Sequence, residues 1–344
     1  MNLPLQHRRC VLLRQDNGTY RLDFEQTQRP EPGPEEVLVR VRAVSLNRRD
    51  VYIMHGQYPM PPRAQLVPAS DGAGEVVALG ARARRFRIGE RVAGTFFQRW
   101  IDGRPNADTL ASALGGQLDG MLSEYVCLAE DGLVRMPQGY SYEQAATLPC
   151  AGVTAWNGLM TRGRMRSGDN VLILGTGGVA IFGLQFAAAA GGRPIVTSSS
   201  DTKLERARAL GASATINYRK VPQWAAAVRA ATDDVGVHQI LEVGGLGTLP
   251  QSLASLAGGG HVALIGGLAG FGGDIPAMAL LHNNATASGI YVGSRADFEA
   301  MNAFIEQHAI QPVIDRVYEF DAAAHAYERI AAGEHLGKVV IRLP

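Results

Sequence analysis

The sequence predicts an α/β protein in which a doubly wound parallel sheet is joined to a second domain of short, strongly bent strands. Three observations predict it. The apolar run Val171-Leu172-Ile173-Leu174 enters a glycine-rich turn, Gly175-Thr176-Gly177-Gly178-Val179-Ala180, and then a helix of small residues over Ile181 to Ala190. From about residue 151 onward apolar strands alternate with helical stretches, the rhythm of parallel strands joined by crossover helices. Before that point the chain reads as short alternating strands between Gly and Pro turns. A length of 344 residues fits two domains of ordinary size.

Taken in order, Val37 to Val44 alternates like a half-buried strand after the turn Glu31-Pro32-Gly33-Pro34, and Gly72 to Gly80 and Ile88 to Gly94 continue a bent β-barrel. The parallel sheet takes residues 171–174, 195–198, Thr215-Ile216, Gln239 to Val243 and His261 to Gly266. A helix over Ala296 to His308 and a last strand over Gly337 to Ile341 return to the first domain. Neither an internal repeat nor a low-complexity tract interrupts this pattern.

Composition bounds the partners. Hydrophobic residues make up 46% of the chain, enough for real cores, and a formal net charge of +1 gives no case for nucleic acid or an anionic membrane surface. No apolar run approaches the ~20 residues of a spanning helix, and the opening residues lack the apolar centre of a signal peptide, so a cytoplasmic location is expected. Cys10, Cys127 and Cys150 are too few and too scattered for a disulfide framework. Of 33 basic residues only Lys203, Lys220 and Lys338 are lysine, so each of them asks for a reason.

The glycine-rich turn carries the first chemistry. Gly175 makes the tight turn, Gly177 lets phosphates approach the backbone, Ala180 fills the close-packing slot, and the helix start at Gly178 and Val179 receives a pyrophosphate. A second apolar strand, Ile195-Val196-Thr197-Ser198, follows about twenty residues after the first glycine, as a dinucleotide-binding unit requires.

Four further runs complete a pattern: Asn47-Arg48-Arg49-Asp50-Val51-Tyr52, Ser70-Asp71-Gly72-Ala73-Gly74-Glu75-Val76-Val77, Phe86 to Val92, and Ala145 to Ala155. With the glycine-rich turn they resemble the medium-chain dehydrogenase/reductase superfamily, and within it the zinc-independent, quinone-oxidoreductase-like branch. The resemblance spans nearly the whole chain. It implies a GroES-like β-barrel catalytic domain over 1–150 and 296–344, interrupted by a Rossmann dinucleotide-binding domain over 151–295, with the active site in the cleft between them. It also implies a homodimer with a contact near Gly272 to Met278.

Zinc alcohol dehydrogenases of this superfamily take their catalytic ligands from Cys, His and Cys positions that read here Asn47, Ser70 and Cys150. Catalytic zinc needs three nitrogen, sulfur or carboxylate ligands and an open position. An amide and a hydroxyl are poor substitutes, Asp71 offers only one further oxygen, and no zinc is expected; Cys150 then reads as a small packing residue. The four cysteines of the structural zinc lobe are missing between Thr95 and Leu122, where Phe96, Phe97 and Trp100 stand instead. Those aromatics either line an apolar pocket or pack the lobe's own core, and the sequence leaves both readings open.

The expected cofactor is NADPH. Ser198 stands at the end of the second strand, where NAD enzymes present an acid to the ribose 2′-hydroxyl. In relatives that use NADPH a Ser, a Lys and a later Tyr surround the 2′-phosphate, and Ser199, Lys203 and Tyr218 match those places, with the nearby Asp201 as a counter-argument. Lys220 has no assigned role. The resemblance also supplies catalytic candidates in Asn47, near the nicotinamide ribose, Thr154, beneath the nicotinamide, and Tyr52; it puts Lys338 on the pyrophosphate, or else leaves it a plain edge-strand lysine, and Gly266 and Val292 among the cofactor contacts. Tyr52 is implied as a hydrogen-bond donor or proton relay, or else as a pocket wall, and Asp50 as an orienting group.

Without a metal to stabilise a localised alkoxide, the accessible acceptors are small molecules that spread the incoming charge themselves, for which one or two hydrogen-bond donors suffice. The reading is therefore an NADPH-dependent, zinc-independent reductase of quinones or α,β-unsaturated carbonyl compounds. A secondary-alcohol dehydrogenase that retains metal, and a non-catalytic NADPH-binding protein of the crystallin kind, are the alternatives.

Overall fold

In the computed structural model, which describes residues 3–270, 272, 274 and 277–344, the chain forms two units: Met1–Val153 with Gly293–Pro344, and Thr154–Val292. The first unit opens with an antiparallel pair, β1 (Gln6–Arg14) and β2 (Tyr20–Gln28), that the sequence reading did not anticipate. It continues through β3 (Glu36–Leu46), β4 (Asp71–Leu79), β5 (Arg91–Gly94), β6 (Tyr125–Ala129) and β7 (Leu133–Arg135). The second unit contributes β8 (Asn170–Leu174), β9 (Arg193–Ser198), β10 (Ala214–Asn217), β11 (Val237–Glu242), β12 (Leu256–Leu264) and β13 (Thr286–Gly289). The chain then returns to the first unit with β14 (Ile314–Glu319) and β15 (Lys338–Arg342).

The strands of the first unit lie in the order β14-β15-β3-β4-β5-β7, with β6 also paired to β3. Strand β3 is long because its Val37, Val39, Val41 and Val44 all enter one core with Leu114, Met121, Phe320 and Tyr327. Gly74 lets β4 press against it: a Cβ there would lie 2.1 Å from the Arg40 carbonyl oxygen. Two registers matter later. Val339 of β15 faces Leu46 of β3, and Ser45 of β3 faces Asp71 of β4.

The second unit is a six-stranded sheet in the order β10-β9-β8-β11-β12-β13, parallel throughout. This is the doubly wound order, with its switch point between β8 and β11. Strand β8 is buried at each of its residues, as its unbroken apolar run requires. The helix Gly178–Ala189 packs closely on the sheet, and Gly183 as well as the buried Ala180 permits it: a Cβ at Gly183 would lie 2.2 Å from Cδ1 of Leu241. The α/β class read from the sequence, a GroES-like domain with a Rossmann-like parallel sheet, is the class observed.

Among the described residues no helix is long and apolar enough to cross a membrane. Of the Gly272 to Met278 segment read as a dimer contact, Gly273, Ile275 and Pro276 lie outside the described residues.

Candidate functional site

The turn after β8 is built as the sequence reading requires. Gly175 sits at φ 79°, a left-handed conformation that favours glycine, and its N–H bonds the Thr197 carbonyl at 2.8 Å. Gly177 is extended and precedes the helix Gly178–Ala189, which no side chain caps. Its first-turn N–H groups, Gly178 and Val179 among them, lie at the positive end of the helix dipole.

Parallel pairing of Asn217 with Ser198 brings the ends of β9 and β10 together, and the Tyr218 N–H donates to the Ser198 carbonyl at 3.1 Å. Ser198 is buried while Ser199 and Lys203 are partly exposed and Tyr218 is exposed. Lys203 lies in the first turn of the helix Asp201–Ala209, where its N–H meets the Ser200 hydroxyl. The structure gives Lys220 the role that sequence reasoning missed. Its ammonium lies 2.6 Å from Asp201, whose other carboxylate oxygen accepts from Asn217 Nδ2 at 2.8 Å. These two partners, Asn217 first, hold the Asp201 carboxyl below its ordinary range. The acid that counted against a 2′-phosphate is thus already answered.

At the end of β11, Glu242 is fully buried and accepts from Gly244 N–H (2.7 Å), Gly245 N–H (3.0 Å), the Thr248 hydroxyl (2.7 Å) and the Ser252 hydroxyl. Its backbone oxygen takes the N–H groups of Ile265 and Gly266, which fixes the Gly266 turn. The one signal in the sequence was a single acid closing an apolar strand. Val292 adopts φ 59°, a strained conformation for a β-branched residue and of order 1–3 kcal/mol in cost, and its carbonyl accepts from Asn157 Nδ2 at 2.7 Å. Thr154, buried, lies one turn before Asn157.

The metal-ligand positions come together in the first unit. Strand β3 runs between β15 and β4, so the residue after its end, Asn47, meets Lys338 on one side and Ser70 and Asp71 on the other. Lys338 donates to the Leu46 carbonyl (2.8 Å) and to Asn47 Oδ1 (2.5 Å), and lies 3.6 Å from Asp71 Oδ2. Asn47 Nδ2 donates to Ser70 Oγ at 3.4 Å, Ser70 donates to Asp71 Oδ1 at 2.7 Å, and the Cys150 N–H donates to Asp71 Oδ2 at 3.2 Å. Burial first, and then the Asp71 carboxylate, push the Cys150 thiol well above its ordinary range. The ammonium of Lys338, which the resemblance puts on the pyrophosphate, is buried among these oxygens. Among the described residues no group of three or more His, Cys, Asp or Glu side chains is placed to hold a metal ion.

Asn47 caps the helix Arg48–Met54, and its N–H donates to Asp50 Oδ2 at 2.7 Å. Tyr52 sits on the same helix, partly exposed, with the Arg48 guanidinium 5.4 Å from its ring centre. The Arg49 guanidinium donates to the Leu114 carbonyl at 2.7 Å and covers the Phe96 ring at 4.6 Å. Phe96, Phe97 and Trp100 are buried against one another, so of the two open readings the lobe's own packing is the one observed.

Family models match both units: an alcohol dehydrogenase GroES-like domain over residues 33–138 and a zinc-binding dehydrogenase domain over residues 178–307. A zinc-type alcohol dehydrogenase-like protein of Schizosaccharomyces pombe is 46% identical, over 93% of this chain and 94% of that protein. The chain belongs to the medium-chain dehydrogenase/reductase superfamily. A solved structure from Sinorhizobium meliloti 1021, described as an alcohol dehydrogenase, is 40% identical and superposes with a TM-score of 0.93 over 99% of this chain and 100% of that one. A quinone oxidoreductase of Pseudomonas aeruginosa is 32% identical over 93% of this chain and 95% of its own length. As a member of this superfamily the protein is an NAD(P)H-dependent oxidoreductase.

Asp50 gives the site a pH dependence. Burial pushes its carboxyl up to about 6 from an ordinary 3.8, against the pull of Arg49. Folding therefore favours the protonated form, and this contribution to stability is complete below the ordinary value and is lost as the pH rises through about 6. Asp50→Asn keeps an acceptor for the Asn47 N–H and removes the titration. Thermal melts from about pH 4 to about pH 8 are expected to show the variant gaining on the wild type as the pH rises, with the gain levelling off above the folded-state value.

Proposed function

We propose that the protein is an NADPH-dependent reductase of quinones or α,β-unsaturated carbonyl compounds that works without zinc. The observation that carries this reading is the polar cluster at the ligand positions. Asn47 and Ser70 are bonded to each other and to Lys338 and Asp71, and the remaining position is a thiol whose ionisation is opposed by burial. An amide, a hydroxyl and a protonated thiol beside a buried ammonium do not fit a zinc ion, which needs anionic or imidazole ligands and no competing cation. The quinone oxidoreductase among the relatives supports the acceptor class. The alcohol-dehydrogenase names of the other two favour oxidation of a secondary alcohol as a second reading.

When bound, the reduced nicotinamide supplies the hydride that a conjugated acceptor takes up. The chain's own part begins with the uncapped helix start at Gly178 and Val179, which holds the pyrophosphate. Ser199, Lys203 and Tyr218 take the 2′-phosphate, with Lys220 paired to Asp201 and Asn217 hydrogen-bonded to it. Gly266, Val292 and Thr154 shape the nicotinamide end. Asn47 and Tyr52 offer hydrogen-bond donors to the acceptor oxygen as it gains charge.

Charge-assisted contacts to one phosphate are worth about 1.5 kcal/mol or more each, so NADPH is expected to exceed NADH by at least about tenfold in kcat/KM. Lys203→Ala is expected to erode that preference mainly through KM for NADPH. A wild type that favours NADH refutes the assignment.

Tyr52→Phe is expected to lower kcat with an enone or quinone by roughly ten- to a thousandfold while NADPH affinity stays nearly constant, because the hydroxyl acts on charge present only in the transition state. Simple ketones are expected to be poor substrates of the wild type, and chelators to leave its activity unchanged. Brisk ketone reduction lost on chelation decides for the alcohol-dehydrogenase reading.

We also read the protein as a homodimer. Strand β13 is an exposed edge of the six-stranded sheet, and Met278, Leu281 and Tyr291 beside it are exposed apolar side chains. Light scattering at micromolar concentration is expected to give twice the 36.7 kDa chain mass, and a value equal to the chain mass refutes it.

A further inference from the structure

Lys338 is the one lysine outside the dinucleotide-binding unit, and the reductase reading leaves it without a task. Its position is costly. The residue is 2% exposed, and a buried ammonium is tolerated only where oxygen atoms surround it. An ammonium carries donors alone, so the Asn47 atom that faces it is the carbonyl oxygen, and the amide nitrogen points the other way. There Ser70 Oγ takes one of its two hydrogens at 3.4 Å. Ser70 Oγ donates in turn to Asp71 Oδ1, and an ion pair between Asp71 and Lys338 at 3.6 Å closes the chain of hydrogen bonds into a ring. Exposure in that ring is uneven: Ser70 and Asp71 are 0% exposed, Lys338 2% and Asn47 9%. Asn47 is the most exposed member of the ring.

An amide oxygen that accepts a bond from a cation draws electron density away from its nitrogen, and the N–H on the far side becomes a stronger donor; bonds joined in this way reinforce one another. We propose that Lys338 is a positioning residue of the reduction. Through Asn47 it fixes and polarises the amide N–H that meets the acceptor oxygen as that oxygen gains negative charge. Asp71 balances the charge beside Asn47, so the ring supplies an oriented dipole at the positions that match the metal ligands of the zinc alcohol dehydrogenases. This inference rests on the reductase reading.

The test is a double-mutant cycle of Lys338→Met, which keeps the stem and removes the ammonium, with Asn47→Ala. With a quinone or enone, Lys338→Met is expected to lower kcat about ten- to a hundredfold while KM for NADPH stays within about threefold, and Lys338→Arg to recover part of the loss. In the Asn47→Ala background the same change is expected to cost nothing further, because the effect passes through Asn47. A merely structural role predicts losses that multiply. A Lys338→Met enzyme with intact kcat and a raised KM for NADPH overturns the proposal in favour of a pyrophosphate contact. If that variant fails to fold because Asp71 is left uncompensated, Lys338→Met with Asp71→Asn removes both charges and is judged by the same criteria. A wild type inert toward every conjugated acceptor overturns the reductase reading and this inference with it, whereas an active wild type with an unaffected Lys338→Met overturns this inference alone.

Discussion

A buried ammonium must be surrounded by oxygen, and much of the first unit follows from meeting that condition at Lys338. The oxygens come from the end of β3, from Asn47 just beyond it, and from the start of β4. Three strands must therefore hold a fixed register, since a one-residue slip of β15 would turn Lys338 to the opposite face of the sheet. Breaking such a pair costs far more than forming it gains, because the group left behind is an uncompensated charge. The ring is thus a lock on pairing between segments nearly three hundred residues apart in sequence as much as it is a piece of chemistry.

The second unit meets the same condition with the opposite charge. Glu242 is sealed at the end of β11 by two backbone N–H groups and two hydroxyls, and its own carbonyl orders the turn that holds Gly266. Other polar groups keep open bonding capacity. One is the helix start at Gly178, where no side chain closes the N–H groups. Another is the Asn47 amide nitrogen, which carries a second hydrogen beyond the one it gives to Ser70. Strain marks a third place, Val292, held in a left-handed conformation by the Asn157 amide.

Local signals were legible in the sequence where the physics is local. The run from Val171 to Ala180 specifies a buried strand, a glycine turn and a helix start within ten residues, and the structure builds each of them. The strands β3, β4 and β15 and the helix Arg295–His308 also declared themselves by periodicity and turns. Strands β1, β2 and β14 did not, because their partly exposed faces carry polar residues that blur the alternation. The partners of Lys338 and Lys220 were not legible for another reason. What a lysine touches depends on pairing across the whole chain, and neither Asp71 beside Lys338 nor Asp201 beside Lys220 follows from the residues adjacent to either. Family resemblance supplied the positions of the missing zinc ligands, but only the fold shows that two of them, Asn47 and Ser70, belong to a ring of hydrogen bonds closed by the Lys338–Asp71 ion pair.

The scarcity of lysine has a practical side. With Lys338 enclosed at 2% exposure, the side-chain amines open to solvent reagents belong to Lys203 and Lys220, and both lie close to Asp201 at the end of the second parallel strand. Among side-chain amines, labelling of the folded protein by an amine-reactive dye is thereby directed to one corner of the dinucleotide-binding unit. The chain carries its own addressable label site there, with no engineered cysteine required.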